Sequence, residues 1–138
     1  MDMQIRRAVE KDFMGLLQYD NHIDAERLVD CIRQGHVFAI CLGKEIIGAM
    51  RYSLFWQSIP FLELLFIDTI YQRKGYGKCA MAYWEQQMKR LGYHDVMTST
   101  RADETAQVFY GKIGYMLAGS FLPPGQEAEE LLLKKSLK

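Results

Sequence analysis

Met3 to Val9 reads as a first strand, and Glu10-Lys11-Asp12 then opens a helix whose apolar residues Phe13, Leu16 and Leu17 share one face. Asn21-His22 interrupts it. Asp24 is expected to cap a second short helix that buries Leu28, Val29 and Ile32 and ends at Gly35. The period then changes to that of strands. Val37 to Leu42 and Ile46 to Phe55 are apolar, β-branched and aromatic runs joined by Gly43-Lys44, a hairpin signal, and Gly48 inside the second run predicts a bulge. Pro60 ends the excursion after Trp56, and Phe61 to Ile67 forms a fourth strand.

Downstream, Gly75 to Leu91 predicts the central helix, with Ala80, Tyr83, Trp84, Met88 and Leu91 on its apolar face and Gly92 as its stop. A fifth strand is expected at about Asp95 to Ser99, and a helix from about Glu104 to Lys112. Two closing strands are expected near Tyr115 to Phe121 and Glu130 to Lys135. The order β-α-α-β-β-β-α-β-α-β-β implies an α/β protein with a mixed sheet and helices on both faces. With no linker, repeat or low-complexity stretch, residues 1–138 read as a single domain.

Composition narrows the function. At 138 residues, folding removes roughly two-thirds of the unfolded chain's surface from water, so no metal or disulfide staple is required. Lys plus Arg and Asp plus Glu both number 17. No global basic field is left to draw nucleic acid or an anionic membrane, and any anion recognition is local. Cys31, Cys41 and Cys79 are widely spaced and flanked by apolar residues, which suits reduced, buried thiols in a cytoplasmic protein. The N-terminus lacks an apolar signal-like core, and no apolar run approaches the roughly 20 residues of a membrane span. A soluble, intracellular protein is expected.

The local anion site is the turn between the fourth strand and the central helix, Gln72-Arg73-Lys74-Gly75-Tyr76-Gly77-Lys78. Glycine lets a backbone approach a ligand, and the unpaired N–H groups that open a helix carry its positive dipole end. Arg73, Lys74 and Lys78 add mobile positive charge. Two nucleotide motifs are excluded. A Walker loop needs glycine five before Gly77 and a hydroxyl after Lys78, where this chain has Gln72 and Cys79. A dinucleotide fingerprint wants Gly-x-Gly-x-x-Gly near the start of a βαβ unit, and the position three after Gly77 is Ala80.

The turn resembles motif A of the GNAT N-acetyltransferases, Gln/Arg-x-x-Gly-x-Gly/Ala, which binds the pyrophosphate of acetyl-CoA. About thirty residues on, Ala106-Gln-Val-Phe-Tyr-Gly-Lys-Ile-Gly-Tyr115 is similar to that family's motif B, Ala-x-x-Phe-Tyr-x-Lys-x-Gly-Phe/Tyr. Two motifs in order and at the right spacing are far more specific than either. The element order also coincides with the GNAT fold across essentially the whole chain. That fold implies a mostly antiparallel mixed sheet in which strands 4 and 5 run parallel and splay apart to admit the pantetheine arm.

The resemblance implies roles residue by residue. Backbone groups of Phe66, Ile67 and Asp68 would bind pantetheine and the thioester carbonyl, and an N–H there would stabilise the developing oxyanion. Tyr110 corresponds to the family's general acid; a phenol of pKa about 10 can reprotonate a thiolate of about 8.5. Lys112 belongs to the same motif, and the resemblance implies that it, Asp103 and Tyr110 line the cofactor site. Asp103 stands where relatives often carry Asn near the cofactor; a carboxylate cannot donate like an amide, and capping the helix is its expected role. Glu63 is the candidate base. Freeing an amine of pKa about 10.4 costs roughly 4–5 kcal/mol at neutral pH, so some group must take its proton.

The acceptor pocket of the fold would fall to segments holding Tyr19, His22, Asp24, Arg51, Tyr52, Phe55 and Trp56. Their aromatic and charged character suits a small-molecule or peptide amine. The implied activity is transfer of acetyl from acetyl-CoA to a primary amine by direct attack in a ternary complex, with no metal. No cysteine occupies a plausible nucleophile position, and Cys79 lacks a histidine partner. Two alternatives stay open: an acyl-CoA-binding sensor without transfer activity, and an acyltransferase with another acyl group or acceptor. Relatives are often dimers, and Trp56 or the closing strands offer surface for a homodimer.

Overall fold

A computed structural model describes residues 2–138. The elements are β1 (Met3–Arg7), α1 (Phe13–Leu17), α2 (Ala25–Arg33), β2 (Val37–Leu42), β3 (Glu45–Phe55), β4 (Ile59–Ile67), α3 (Tyr76–Arg90), β5 (Asp95–Arg101), α4 (Ala106–Lys112), β6 (Met116–Phe121) and β7 (Glu130–Ser136). Short 3-10 turns, Glu10–Asp12 and Thr69–Tyr71, precede α1 and follow β4. The sheet has seven strands in the order β1-β2-β3-β4-β5-β7-β6. This is the α/β class and mixed sheet that the element order implied. The chain forms two compact units, Met1–Ser53 with Glu63–Trp84, and Leu54–Leu62 with Glu85–Lys138.

In the first unit β1 and β2 pair antiparallel from Met3↔Leu42 to Arg7↔Phe38, and β2 pairs antiparallel with β3. Alternation along β2 sends successive side chains to opposite faces. Val37, Ala39 and Cys41 join a core with Leu16 of α1 and Leu28 and Ile32 of α2. On the opposite face Phe38 meets the Tyr83 ring edge-on at 5.6 Å, and Tyr52 meets Trp84 at 6.0 Å. Helices therefore cover both faces of this part of the sheet. Trp84, Leu16, Leu28 and Met50 are fully buried, each stabilising by roughly 1.5–3 kcal/mol or more.

The bulge expected near Gly48 is present: Ile40 faces Gly48 and Cys41 faces Ile46, leaving Ile47 without a partner on β2. Gly48 has a second reason to be glycine. A Cβ there would lie 2.4 Å from the Phe66 carbonyl oxygen and 3.1 Å from the Ile67 Cα, so the end of β4 runs directly over it. Asp24 corrects the capping expectation. It sits at the N-cap of α2 in extended conformation, but only its backbone carbonyl serves, accepting from the Leu28 N–H at 3.0 Å. The exposed carboxylate is spent on solvent instead.

In the second unit β5 pairs antiparallel with β7 from Asp95↔Ser136 to Arg101↔Glu130, and β7 with the edge strand β6. The parallel ladder of β4 with β5 consists of Phe61↔Met97 and Leu62↔Thr98; beyond it β4 runs on to Ile67 and β5 to Arg101. Several boundaries move inward. Leu91 lies past the end of α3 and is 56% exposed, so the buried stripe stops at Met88. α4 begins at Ala106 rather than Glu104 because Asp103 turns to Arg101 and does not cap; Thr105 occupies the N-cap. Tyr115 is a buried residue of the preceding turn, and β6 starts at Met116.

Among the described residues no helix is long and apolar enough to cross a membrane.

Candidate active site

Within the first unit, β4 delivers the chain to the glycine turn and several contacts fix its end. The Asp68 N–H donates to the Ile47 carbonyl at 2.7 Å, the bulge residue of β3. The Asp68 carboxylate accepts from the Tyr19 hydroxyl at 2.8 Å and from the Ile70 N–H at 3.2 Å, capping the 3-10 turn Thr69–Tyr71. Gln72 folds its side-chain amide back onto the Ile67 carbonyl at 2.7 Å. The Asp68 N–H and the Ile67 carbonyl are thus already paired within the protein. Phe66 is 38% exposed and stacks on Tyr19 at 5.9 Å.

Arg73 then adopts φ +63° and Gly75 φ +83°, two left-handed residues that swing the chain into α3. Nothing lies within 4 Å of where a Gly75 Cβ would stand, so glycine is demanded there by backbone conformation and the space over it is open. The first bond of the α3 ladder runs from Cys79 N–H to the Gly75 carbonyl at 3.2 Å. The amides of Tyr76, Gly77 and Lys78 therefore sit ahead of the ladder, at the positive end of a 15-residue helix. Arg73, Lys74 and Lys78 are exposed around them. Glycine freedom, helix-end amides and cations together form an anion cradle.

Cys79 corrects the expectation of buried thiols. Cys41 is buried and Cys31 half-buried, but Cys79 is exposed, on the side of α3 opposite the buried Ala80 and Trp84.

Glu63 is held on both oxygens. Arg51 donates from Nη1 to Oε1, and the Ser53 hydroxyl donates to Oε2 at 2.8 Å. Arg51 is buried and also donates from Nε to Asp20 at 2.6 Å. One guanidinium thus bridges a buried and a half-exposed carboxylate. His22 is exposed, its Nδ1 4.0 Å from Asp20. Asp20 and Ser53 escaped the sequence reading, although a lone arginine inside the apolar run of β3 signals a buried acid somewhere.

In the second unit Tyr110 is buried on α4, edge-on to Phe109 at 5.2 Å and to Tyr115 at 5.5 Å. Burial pushes its phenol above the ordinary value, and a hydrogen bond with Thr98 works the other way. Thr98 in turn donates to the Leu62 carbonyl at 3.0 Å, within the parallel ladder. Tyr115 donates to Glu85 at 2.9 Å, and burial followed by that carboxylate pushes it far upward. Asp103 accepts two bonds from Arg101, at 3.1 and 3.0 Å, which hold its carboxyl below the usual range. Lys112 is exposed at the last turn of α4.

Of the suggested acceptor-wall residues, Tyr19, His22, Asp24, Arg51 and Tyr52 belong to the first unit, where Tyr52 stacks on His36 at 4.5 Å. Phe55 and Trp56 belong to the second, where Phe55 packs between Trp56 and Phe61. Trp56 is 80% exposed at a left-handed turn. Among the described residues no group of three or more His, Cys, Asp or Glu side chains is placed to hold a metal ion.

The chain belongs to the acetyltransferase (GNAT) family, whose model matches residues 4–115. Solved structures agree on the fold. Ard1 from Thermoplasma volcanium is similar with a TM-score of 0.84 at 17% identity, covering 97% of each chain. The PaiA N-acetyltransferase from Thermoplasma acidophilum in complex with coenzyme A gives 0.81 at 16%, covering 99% of each chain. The ribosomal-protein-S18-alanine N-acetyltransferase from Escherichia coli gives 0.79 at 13%, covering 99% of this chain and 95% of that one. No curated protein matches the sequence.

Proposed function

We propose that this protein transfers the acetyl group of acetyl-CoA to a primary amine, by direct attack in a ternary complex. The observation that carries the reading is the turn at Gly75. It combines a left-handed glycine with open space above it, helix-end amides and three exposed cations, inside the stretch matched by the family model. Such a cradle fits the two phosphates of a coenzyme. The structural neighbours that carry coenzyme A, or act on a ribosomal protein's alanine, support a CoA donor and a peptide amine acceptor, and a small-molecule amine is the other acceptor class this reading admits.

In this reading the acceptor nitrogen attacks the thioester carbon, the C–S bond breaks, and the thiolate takes a proton from Tyr110. Its raised phenol keeps that proton available throughout the neutral range. Glu63 receives the proton lost by the amine, with Arg51 and Ser53 fixing its orientation. Phe66, the Ile67 N–H and residues 72–78 hold the coenzyme largely through backbone, while Asp68, its own N–H and carbonyl taken by Ile47 and Tyr71, fixes the strand end beside them. Asp103, paired with Arg101, contributes to the shape of the turn before α4.

The test is incubation with acetyl-CoA and a panel of small amines and peptides with free N-termini, reading free thiol and acceptor mass together. Thiol release matched by acetylation of one acceptor class is the expected result. Coenzyme binding without turnover across the panel would favour a sensor, and a trapped acetyl-Cys79 would replace direct attack by an acyl-enzyme route.

A further inference from the structure

The contact that joins α1 and α2 to the end of β4 has no part in the roles assigned so far. Tyr19 lies just after α1, in the connection to α2, and its hydroxyl reaches Asp68 across 49 positions of sequence at 2.8 Å. The Ile46 carbonyl, beside the β3 bulge, stands 3.4 Å from the same oxygen. The ring stacks on Phe66. Burial, and then the Asp68 carboxylate, push the Tyr19 phenol up to about 12, so it remains a donor at every pH at which the protein would work.

The geometry points to Tyr19 as a positioning residue for the coenzyme. Resting on the proposal that β4 receives the thioester end of CoA, we infer that the Tyr19–Asp68 bond sets the backbone of residues 66–68, and with it coenzyme affinity. The strand end has little freedom of its own. Gly48 lies directly under the Phe66 carbonyl, the Ile47 carbonyl takes the Asp68 N–H, and Gln72 takes the Ile67 carbonyl. The Asp68 side chain is the point at which these backbone contacts meet a side chain from another element. Freed from Tyr19, the Asp68 carboxylate keeps only its bond to the Ile70 N–H, and the last peptide of β4 rests on its backbone bonds to Ile47 and Tyr71 without a side-chain brace from α1 and its connection. A charged acceptor makes the bond stronger than a neutral pair, and stacking on Phe66 holds the donor in register.

The experiment is calorimetric titration of the full chain with coenzyme A, comparing wild type, Tyr19→Phe, Asp68→Asn and the double variant. The thermal midpoint of each is recorded without ligand. Tyr19→Phe keeps the ring and its stacking and removes only the hydroxyl. The expected result is affinity about 3- to 10-fold weaker in each single variant. The double variant should be no weaker than the weaker single, because both substitutions cut the same connection. Amide resonances of residues 66–68 should shift in Tyr19→Phe before any ligand is added. A lowered midpoint with unchanged affinity would show a purely structural bond and overturn the inference, as would additive losses in the double variant. If wild type itself fails to bind coenzyme A, the proposed donor falls and this inference with it. If wild type binds and Tyr19→Phe binds equally well, only this inference falls.

Discussion

Arg51 Nε donates to the Asp20 carboxylate at 2.6 Å with both side chains almost wholly withdrawn from solvent, 5% and 1% exposed. Two charges this deep are tolerated only as a pair. Burial alone would pull the arginine down, yet Asp20 and Glu63 leave it raised above its ordinary value. Arg51→Met should cost about 3–5 kcal/mol in urea unfolding, because it strands Asp20. Asp20→Asn combined with Arg51→Met should lose less than the sum of the two single changes.

Glu63 is the candidate base, and Glu63→Gln keeps its shape and its Ser53 contact geometry. Turnover near neutral pH should fall roughly a hundredfold or more. The loss should shrink as pH approaches the acceptor amine's own pKa, where the free base no longer needs a proton acceptor. A deficit independent of pH would assign Glu63 to binding instead.

Tyr110→Phe should lower the rate of thioester cleavage while leaving coenzyme affinity nearly unchanged, since the buried ring still packs on Phe109 and Tyr115. Because burial raises the phenol, its ionisation cannot limit the wild-type rate below about pH 10. An alkaline limb below that value that disappears in Tyr110→Phe would contradict the assignment.

Gly48 and Gly75 separate two reasons for glycine. Gly48→Ala drives a methyl group against the Phe66 carbonyl and should cost about 1–3 kcal/mol, with weaker coenzyme binding as the strand end moves. Gly75→Ala meets no atom within 4 Å but must hold φ +83°, costing about 1–2 kcal/mol. Chemical unfolding and calorimetry of both variants check the pair.

Asp12 accepts two bonds from Arg6, at 2.7 and 2.9 Å, and one from the Val9 N–H at 2.8 Å. The Arg6 bond, more than any other cause, holds its carboxyl below the ordinary value of 3.8. A depressed folded pKa supplies stability that is complete above the unfolded value and lost as pH falls through the folded one. Asp12→Asn should therefore destabilise by about 1–3 kcal/mol at pH 7 and by progressively less below about pH 4. Parallel unfolding curves across that range test the sign.

The glycine turn and motif B were legible because their signals are local: consecutive residues specify a bend, a helix start and a buried tyrosine. The bulge at Gly48 was legible for the same reason, though not the overlying Phe66 carbonyl, which arrives from another strand. Side-chain partners were the hidden part. Asp20 and Arg51 are 31 positions apart and Tyr19 and Asp68 are 49 apart, and nothing in either local sequence names the other. Asp24 and Asp103 were misread as side-chain caps because a favourable residue type at a helix start does not decide between backbone, solvent and a neighbouring arginine. Leu91 and Cys79 show that apolar type alone does not place a residue inside.

The Lys135 ammonium closes the last turn of α4 by donating to the Ile113 carbonyl at 2.7 Å, from 22 positions further along the chain. On the ribosome, the carbonyl that follows α4 therefore gains its ammonium partner only once β7 has emerged.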